Sequence, residues 1–299
     1  MTVHDDKPIL VLGGTGKTGR RVAHHLVQRG RRVRIGSRGA TPRFDWNDPA
    51  TWEGALRGVA AVYLTYQPDL AFPGAEQAVR AFTDLAVARG VTRIVLLSGR
   101  GEPAAGRCEE IVQARPVAWT VVRASVFHQN FSEYFLLEPV LRGVVAFPAG
   151  DVAEPFVDAD DIAEVAVAAL TDDRHAGEVY EVTGPRLLTF AEAVAEIAAA
   201  TGRPVRYLPV TPEEYAAGLV AHAGVPAADA YGLADLFRVI FDGRNAHLGD
   251  GARRALGRAP RDFRDYARAA AATGGWDAPA AAAPPPAAPV TAAASTPRA

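Results

Sequence analysis

The residues best placed to do chemistry stand near the start of the chain. The apolar run Ile9-Leu10-Val11-Leu12 leads directly into Gly13-Gly14-Thr15-Gly16-Lys17-Thr18-Gly19, and a helical pattern follows. Two glycine spacings fit this stretch, Gly14-x-Gly16-x-x-Gly19 and Gly13-x-x-Gly16-x-x-Gly19. A backbone that must approach a diphosphate closely cannot carry Cβ atoms at the contact points, and glycine turns sharply from strand to helix with little strain. The helix start adds unpaired N–H groups and a partial positive charge. At a first strand–helix junction this combination predicts a dinucleotide-binding loop. Gly16-Lys17-Thr18 imitates the end of a P-loop, but that motif needs a glycine five residues before Gly16, where Val11 stands.

Selectivity between the two nicotinamide dinucleotides is set just after the second strand. A carboxylate there binds the ribose hydroxyls of NAD and repels a 2′-phosphate. This chain has Ser37-Arg38, with Arg43 nearby and no acid before Asp45. A guanidinium beside a hydroxyl suits a phosphate monoester, so NADP(H) is expected in preference to NAD(H).

The elements that must position these residues alternate along the first half. Short apolar strands are expected at Ile9–Leu12, Arg32–Ile35, Ala60–Thr65, Arg93–Ser98 and Val117–Val122, with amphipathic helices at Gly19–Arg29, Thr51–Arg57, Gly74–Arg89 and Ala104–Arg115. Apolar strands without alternation are buried on both faces. Alternating β and α segments then give an α/β fold, a doubly wound parallel-sheet Rossmann architecture. The interval from Gly36 to Asp48 is tight, so a third strand must be squeezed into Arg43–Trp46 or be nearly absent. Further on, a helix is expected near Gln129–Arg142, a strand near Val144–Phe147, a helix from Asp160 to Leu170 and a strand at Val179–Thr183. A helix at Phe190–Thr201 opens with Thr189 and Glu192 in a capping-box pattern. Residues 203–272 read as mostly helical, with starts at Thr211-Pro212 and near Pro226. The body is expected over 1–272, with a Rossmann core at about 8–170. A smaller, mostly helical C-terminal substrate lobe is drawn mainly from about 125–160 and 184–272. The Ala/Pro-rich stretch 273–299 is expected to be a disordered tail.

With those motifs in place, the chain resembles the NmrA-like atypical short-chain dehydrogenases over roughly residues 8–272. The resemblance rests on the glycine loop and the strand end Leu96-Leu97-Ser98. It rests equally on the segment from Trp119 through Arg123 to Asn130-Phe131, and on Pro155-Phe156-Val157-Asp158 with Asp161-Ile162-Ala163. The block Ser98-Gly-Arg-Gly-Glu102 and the stretch Ile35 to Trp46 look closest to a branch that contains the agroclavine (festuclavine) dehydrogenases, which reduce an iminium carbon with NADPH. That substrate is not carried over, because one fold serves many substrates. The resemblance implies that Gly13, Thr15, Gly16, Lys17 and Thr18 hold the pyrophosphate and that Arg38 receives the 2′-phosphate; the residue reading adds Gly19 to the loop and Ser37 and Arg43 to the phosphate side. The resemblance also implies that Asp45 and Trp46 flank the adenine, and that Thr65, Tyr66, Ser98 and Gly99 line the nicotinamide side. Substrate contacts are expected from Phe127, His128, Asn130 and Phe131.

Most short-chain dehydrogenases protonate their substrate through a Tyr-x-x-x-Lys pair. Here that pair is impossible, because the two lysines, Lys7 and Lys17, both precede the first tyrosine, Tyr63. Two readings stand. The protein is either a reductase of an activated C=N or C=C bond (iminium, enone or quinone), whose chemistry depends on positioning, or a non-catalytic NADP(H)-binding redox sensor of the NmrA type. His128 is the candidate proton donor, since histidine titrates near neutrality, and Tyr66 is a second candidate. Asp158, Asp160 and Asp161 are spaced as caps for the following helix rather than as metal ligands. Cys108 has no evident activating base.

Composition narrows the partners. Net charge is −2 and no Lys/Arg run makes a nucleic-acid face. One cysteine excludes an internal disulfide. No apolar run approaches the ~20 residues of a membrane span, and the polar start does not read as a secretory signal. A cytoplasmic small-molecule protein of secondary-metabolism type, monomeric or homodimeric, is expected.

Overall fold

The computed structural model describes residues 7–277. Its centre is a six-stranded, wholly parallel sheet in the order β2-β1-β3-β4-β5-β7. The strands are β1 (Ile9–Leu12), β2 (Val33–Gly36), β3 (Ala61–Leu64), β4 (Arg93–Gly99), β5 (Ala118–Ala124) and β7 (Glu178–Val182). All four residues of β1 and of β3 are buried, as unalternated apolar runs require. Strand β1 pairs with β2 on one side and β3 on the other, Val11 lying opposite both Ile35 and Tyr63. The strand order therefore reverses at β1, and the crevice beyond the carboxyl ends of β1 and β3 is where open α/β sheets bind ligands.

Helices cover both faces. On one, α1 (Lys17–Gln28), α7 (Ala159–Thr171) and α11 (Gly251–Leu256) bury Val22, Leu26, Ile162, Val165 and Ala255 against the sheet. On the other, α2 (Trp52–Leu56), α3 (Ala75–Ala88) and α4 (Pro103–Gln113) bury Leu56, Val79, Phe82, Cys108 and Val112. The amphipathic helix expected at Gly74–Arg89 is α3, and Ala75, Val79, Phe82 and Ala86 form its buried apolar face. A third apolar cluster holds the C-terminal lobe together. It is rich in phenylalanine (Phe131, Phe147, Phe156, Phe190, Phe237, Phe263) and includes α8 (Phe190–Thr201), α10 (Ala227–Ile240) and α12 (Phe263–Ala272).

Thr189 and Glu192 form the expected capping box of α8, and Thr211 with Glu214 forms another at α9 (Pro212–Ala223). Asp158 caps α7 by accepting from the Asp160 N–H, as read from its spacing.

Several expectations need correction. Arg43–Trp46 forms no strand; the segment is irregular and tied down by backbone bonds to Ser37. The single helix expected near 129–142 is two short pieces, α5 (Asn130–Glu133) and α6 (Leu137–Leu141). They part at Tyr134, whose backbone is extended (φ −150°, ψ −152°). The strand β6 (Val144–Phe147) joins a small separate sheet with β8 (Arg206–Pro209), parallel and in register Val144↔Arg206 to Phe147↔Pro209. Residues 206–209 had read as part of a helical region; they are largely exposed and lack an apolar signature. The boundary drawn at 273 falls too early. Trp276 is fully buried against the lobe, and its indole N–H donates to the Phe131 carbonyl at 2.8 Å. The rest of that stretch, residues 278–299, lies outside the described residues. Among the described residues no helix is long and apolar enough to cross a membrane.

Candidate cofactor and substrate cleft

The loop between β1 and α1 closes on itself in a way only glycine permits. Gly13 has φ +59°, and a Cβ there would come within 2.8 Å of Thr65 Cγ2. A Cβ on Gly19 would fall 2.2 Å from the Gly13 carbonyl oxygen, and one on Gly14 would press on Ile35 at 2.9 Å. The Gly16 N–H donates to the Gly13 carbonyl at 2.8 Å, which fixes the turn. Helix α1 then begins at Lys17 with Gly16 as N-cap, no side-chain cap and no acid in its first turn. Its first N–H groups are thus left to an outside acceptor, at the reversal of strand order. This turn fits a dinucleotide diphosphate, because it presents backbone donors and partial positive charge without side-chain obstruction.

The adenosine side is built from the loop after β2 and the end of β3. Ser37 anchors the loop, its carbonyl accepting from Ala40 and Phe44 N–H groups. Arg38 is exposed. Arg43 Nη2 donates to Asp45 Oδ2 at 2.7 Å. The Asn47 backbone N–H, then Arg43 and Arg38, hold the Asp45 carboxyl below the usual carboxylate range. Asp45 is therefore the ion-pair partner of Arg43, and Arg38 acts on it only through its charge. Trp46 donates its indole N–H to the Thr65 carbonyl at 3.1 Å, and its ring meets that of Tyr66 at 5.0 Å and packs on Phe44, Trp52 and Phe82. Trp46, Thr65 and Tyr66 thus form one wall.

The opposite side is reached by Lys17, and not as expected. Its ammonium donates to Asn130 Oδ1 at 2.7 Å and lies 3.7 Å from the Tyr134 ring centroid and 5.7 Å from that of Phe127. The side chain turns toward the segment after β5, and only the backbone N–H stays at the helix start. Burial pushes the Lys17 pKa down to about 8, opposed by the negative charge of Glu133 and aided by Arg20 and Arg21. Glu133 is itself gripped by Arg21 at 2.7 Å and by Arg20.

Of the four expected substrate residues, the structure brings Phe127 and Asn130 to this ammonium and turns the other two away. His128 is wholly buried. Its Nε2 faces the Phe156 carbonyl at 3.0 Å, its Nδ1 lies 3.5 Å from Asp158, and its ring packs on Phe263 and Tyr266. Its Nε2 is taken by that carbonyl, while its Nδ1 has no hydrogen-bond partner among the described residues but is sealed from solvent with the rest of the ring; the side chain braces the lobe. Although burial opposes ionisation, the His128 ring, Gln129 and backbone N–H groups hold the Asp158 carboxyl down at about 2. Phe131 is likewise fully buried among Phe156, Phe190 and Phe263.

Ser98 also differs from expectation. It is buried, and its hydroxyl donates to Glu109 Oε1 at 2.6 Å. Glu109 in turn accepts twice from Arg123, which reaches on to Glu181. The sequence offered no signal for this network, since its members are distant in the chain. Gly99 is shielded by Glu102, whose Oε1 would stand 2.1 Å from a Cβ at that position. Burial and the neighbouring Asp69 push the Glu102 carboxyl well above the ordinary carboxylate range. Glu154 is 1 % exposed. It accepts from Ser125 Oγ at 3.3 Å, and its other carboxylate oxygen has no partner among the described residues. Burial lifts its pKa to about 7. Asp69, Glu102 and Ser125 follow β3, β4 and β5, so this acidic set gathers at the carboxyl ends of the strands.

No family model matches the chain. It is 35% identical over 277 residues to an uncharacterized oxidoreductase, YesF, of Bacillus subtilis, covering 89% of this chain and 96% of that protein. It is 32% identical to the agroclavine dehydrogenase of Claviceps fusiformis, covering 86% and 95%. Among solved structures, NmrA, a negative transcriptional regulator in complex with NAD, superposes with a TM-score of 0.64 at 16% identity, over 88% of this chain and 95% of that one.

Proposed function

This chain belongs to the NmrA-like atypical short-chain dehydrogenases and is an NAD(P)H-dependent oxidoreductase, and on that premise we propose a specific reaction for it. The protein uses NADPH to reduce an activated C=N or C=C bond, in an iminium, enone or quinone, of a hydrophobic small molecule, without a Tyr-Lys pair. The observation that carries this reading is the uncapped, glycine-closed start of α1 at the reversal of strand order.

Backbone groups of Gly13, Thr15, Gly16, Lys17, Thr18 and Gly19 would hold the diphosphate. Arg38, with Ser37 and Arg43, would take the 2′-phosphate, and Asp45 orients Arg43 for it. Trp46 and Tyr66 would wall the adenine and ribose side. Thr65, just after β3, and Gly99, at the end of β4, would stand beside the nicotinamide half, while Phe127 and Asn130 would face the substrate. When bound, the cofactor supplies the hydride. The chain's own work is to orient the acceptor, exclude water and keep charge balanced. Oxidation of NADPH measured against iminium, enone and quinone acceptors tests the reading. Tight NADPH binding with no acceptor reduced would mark a sensor instead.

A further inference from the structure

We propose that Lys17 is the proton donor of this reductase for acceptors that need one, a role that rests on the reading above. Its ammonium stands where the phosphate loop meets the substrate segment, bonded to Asn130 Oδ1 and set over the Tyr134 ring, with Phe127 beside it. An ammonium has three N–H donors, and Asn130 accepts one of them. Among the described residues no carboxylate pairs with it directly: Arg20 and Arg21 from its own helix hold Glu133, and Arg21 also reaches Asp160 of α7. These are the charged groups that face it from every element packed around it. Of the other groups with an exchangeable proton, His128 and Ser98 are turned away, one into the lobe core and one onto Glu109.

Burial brings Lys17 to about 8, near the operating pH where a general acid works best. In reduction of an enone or quinone, a hydride adds to the acceptor and the displaced π pair collects on the carbonyl oxygen. One Lys17 N–H bond breaks, the new O–H bond forms, and the neutral amine regains a proton from solvent. An iminium acceptor becomes a neutral amine on hydride addition alone and needs no such proton, so it serves as an internal control.

The experiment compares wild type with Lys17→Met and Lys17→Arg on both acceptor classes, with NADPH affinity measured by fluorescence. Turnover of the enone or quinone should fall by about 10²-fold or more. On the iminium acceptor any loss should be at least about tenfold smaller than on the enone or quinone, because the proton step is absent there. Equal loss on both classes, or a raised Kd with turnover retained, overturns the proposal, as does a wild type that reduces iminium acceptors only. Because the chain has just two lysines, ¹³Cε-lysine labelling of the cofactor-free wild type, with Lys17→Arg identifying the Lys17 signal, reads its titration directly. Lys17 should titrate near 8, below the ordinary lysine value of 10.5, and titration at that ordinary value overturns the role. Failure of the wild type to bind NADPH would sink the reading of function itself, a result distinct from all of these.

Discussion

Lys17 and Asn130 are joined at 2.7 Å across 113 residues of sequence, which ties the phosphate loop to the segment leaving β5. A hydrogen bond to a charged group contributes about 1.5–3 kcal/mol. Asn130→Ala should lower unfolding free energy by about 1–2 kcal/mol in urea titrations. NADPH affinity should hold, since the substitution leaves the backbone donors of α1 in place. A large loss of affinity would instead show that the amide shapes the phosphate loop.

Arg38 is exposed at the end of β2, and Arg43 is already engaged by Asp45. Removing Arg38 should therefore act on the 2′-phosphate alone. Arg38→Ala is expected to weaken NADPH binding by about tenfold, a little over 1 kcal/mol, and to leave NADH binding unchanged. Equal weakening of both nucleotides, or similar wild-type affinities for both, would refute the preference for NADP(H).

Glu154 gives the protein a pH-dependent stability whose sign follows from its burial. Its folded pKa, about 7, lies above the ordinary 4.5. Below about pH 4.5 both folded and unfolded forms carry the proton, and burial of the neutral acid is tolerated. As pH rises from there to about 7 the unfolded chain ionises first, and stability is lost. Glu102 is shifted in the same direction by burial and Asp69. Glu154→Gln should thus match wild type near pH 4 and be more stable at pH 8, by about 3 kcal/mol. Urea unfolding at the two pH values checks this. A variant destabilised equally at both would mean that the carboxylate is held charged.

Trp276 is a keystone of the lobe despite lying in a stretch read as tail. It is 1 % exposed, and its neighbours include Tyr266; Arg203 donates to its carbonyl at 2.7 Å. Trp276→Ala should cost about 3–5 kcal/mol. Thermal melting would reveal it, and a loss below about 1 kcal/mol would show that the lobe closes without this side chain.

The sheet and the phosphate loop were legible because their signals are local: apolar runs, glycines at fixed spacing and caps at helix starts. Thr189–Glu192 and Asp158 were readable for the same reason. What escaped depends on partners far away. His128 was read from its chemistry, but a residue type says nothing of whether Phe263 and Tyr266 will enclose it. Ser98 looked free until Glu109 and Arg123 were brought beside it. Lys17 was legible as part of the phosphate loop because its loop position is explicit, whereas the turn of its side chain to Asn130, 113 residues away, was not. The strand at 206–209 is exposed and paired only to 144–147, so no burial pattern marked it.

That last pairing has a practical consequence for anyone recombining such proteins. The two partner strands come from opposite sides of β7 in the chain, one before α7 and one after α8. The substrate-facing module is therefore not a contiguous cassette. A chimera that imports residues 184–276 alone would leave β8 beside a foreign mate, whereas grafting 125–158 together with 184–276 keeps both halves of the seam native.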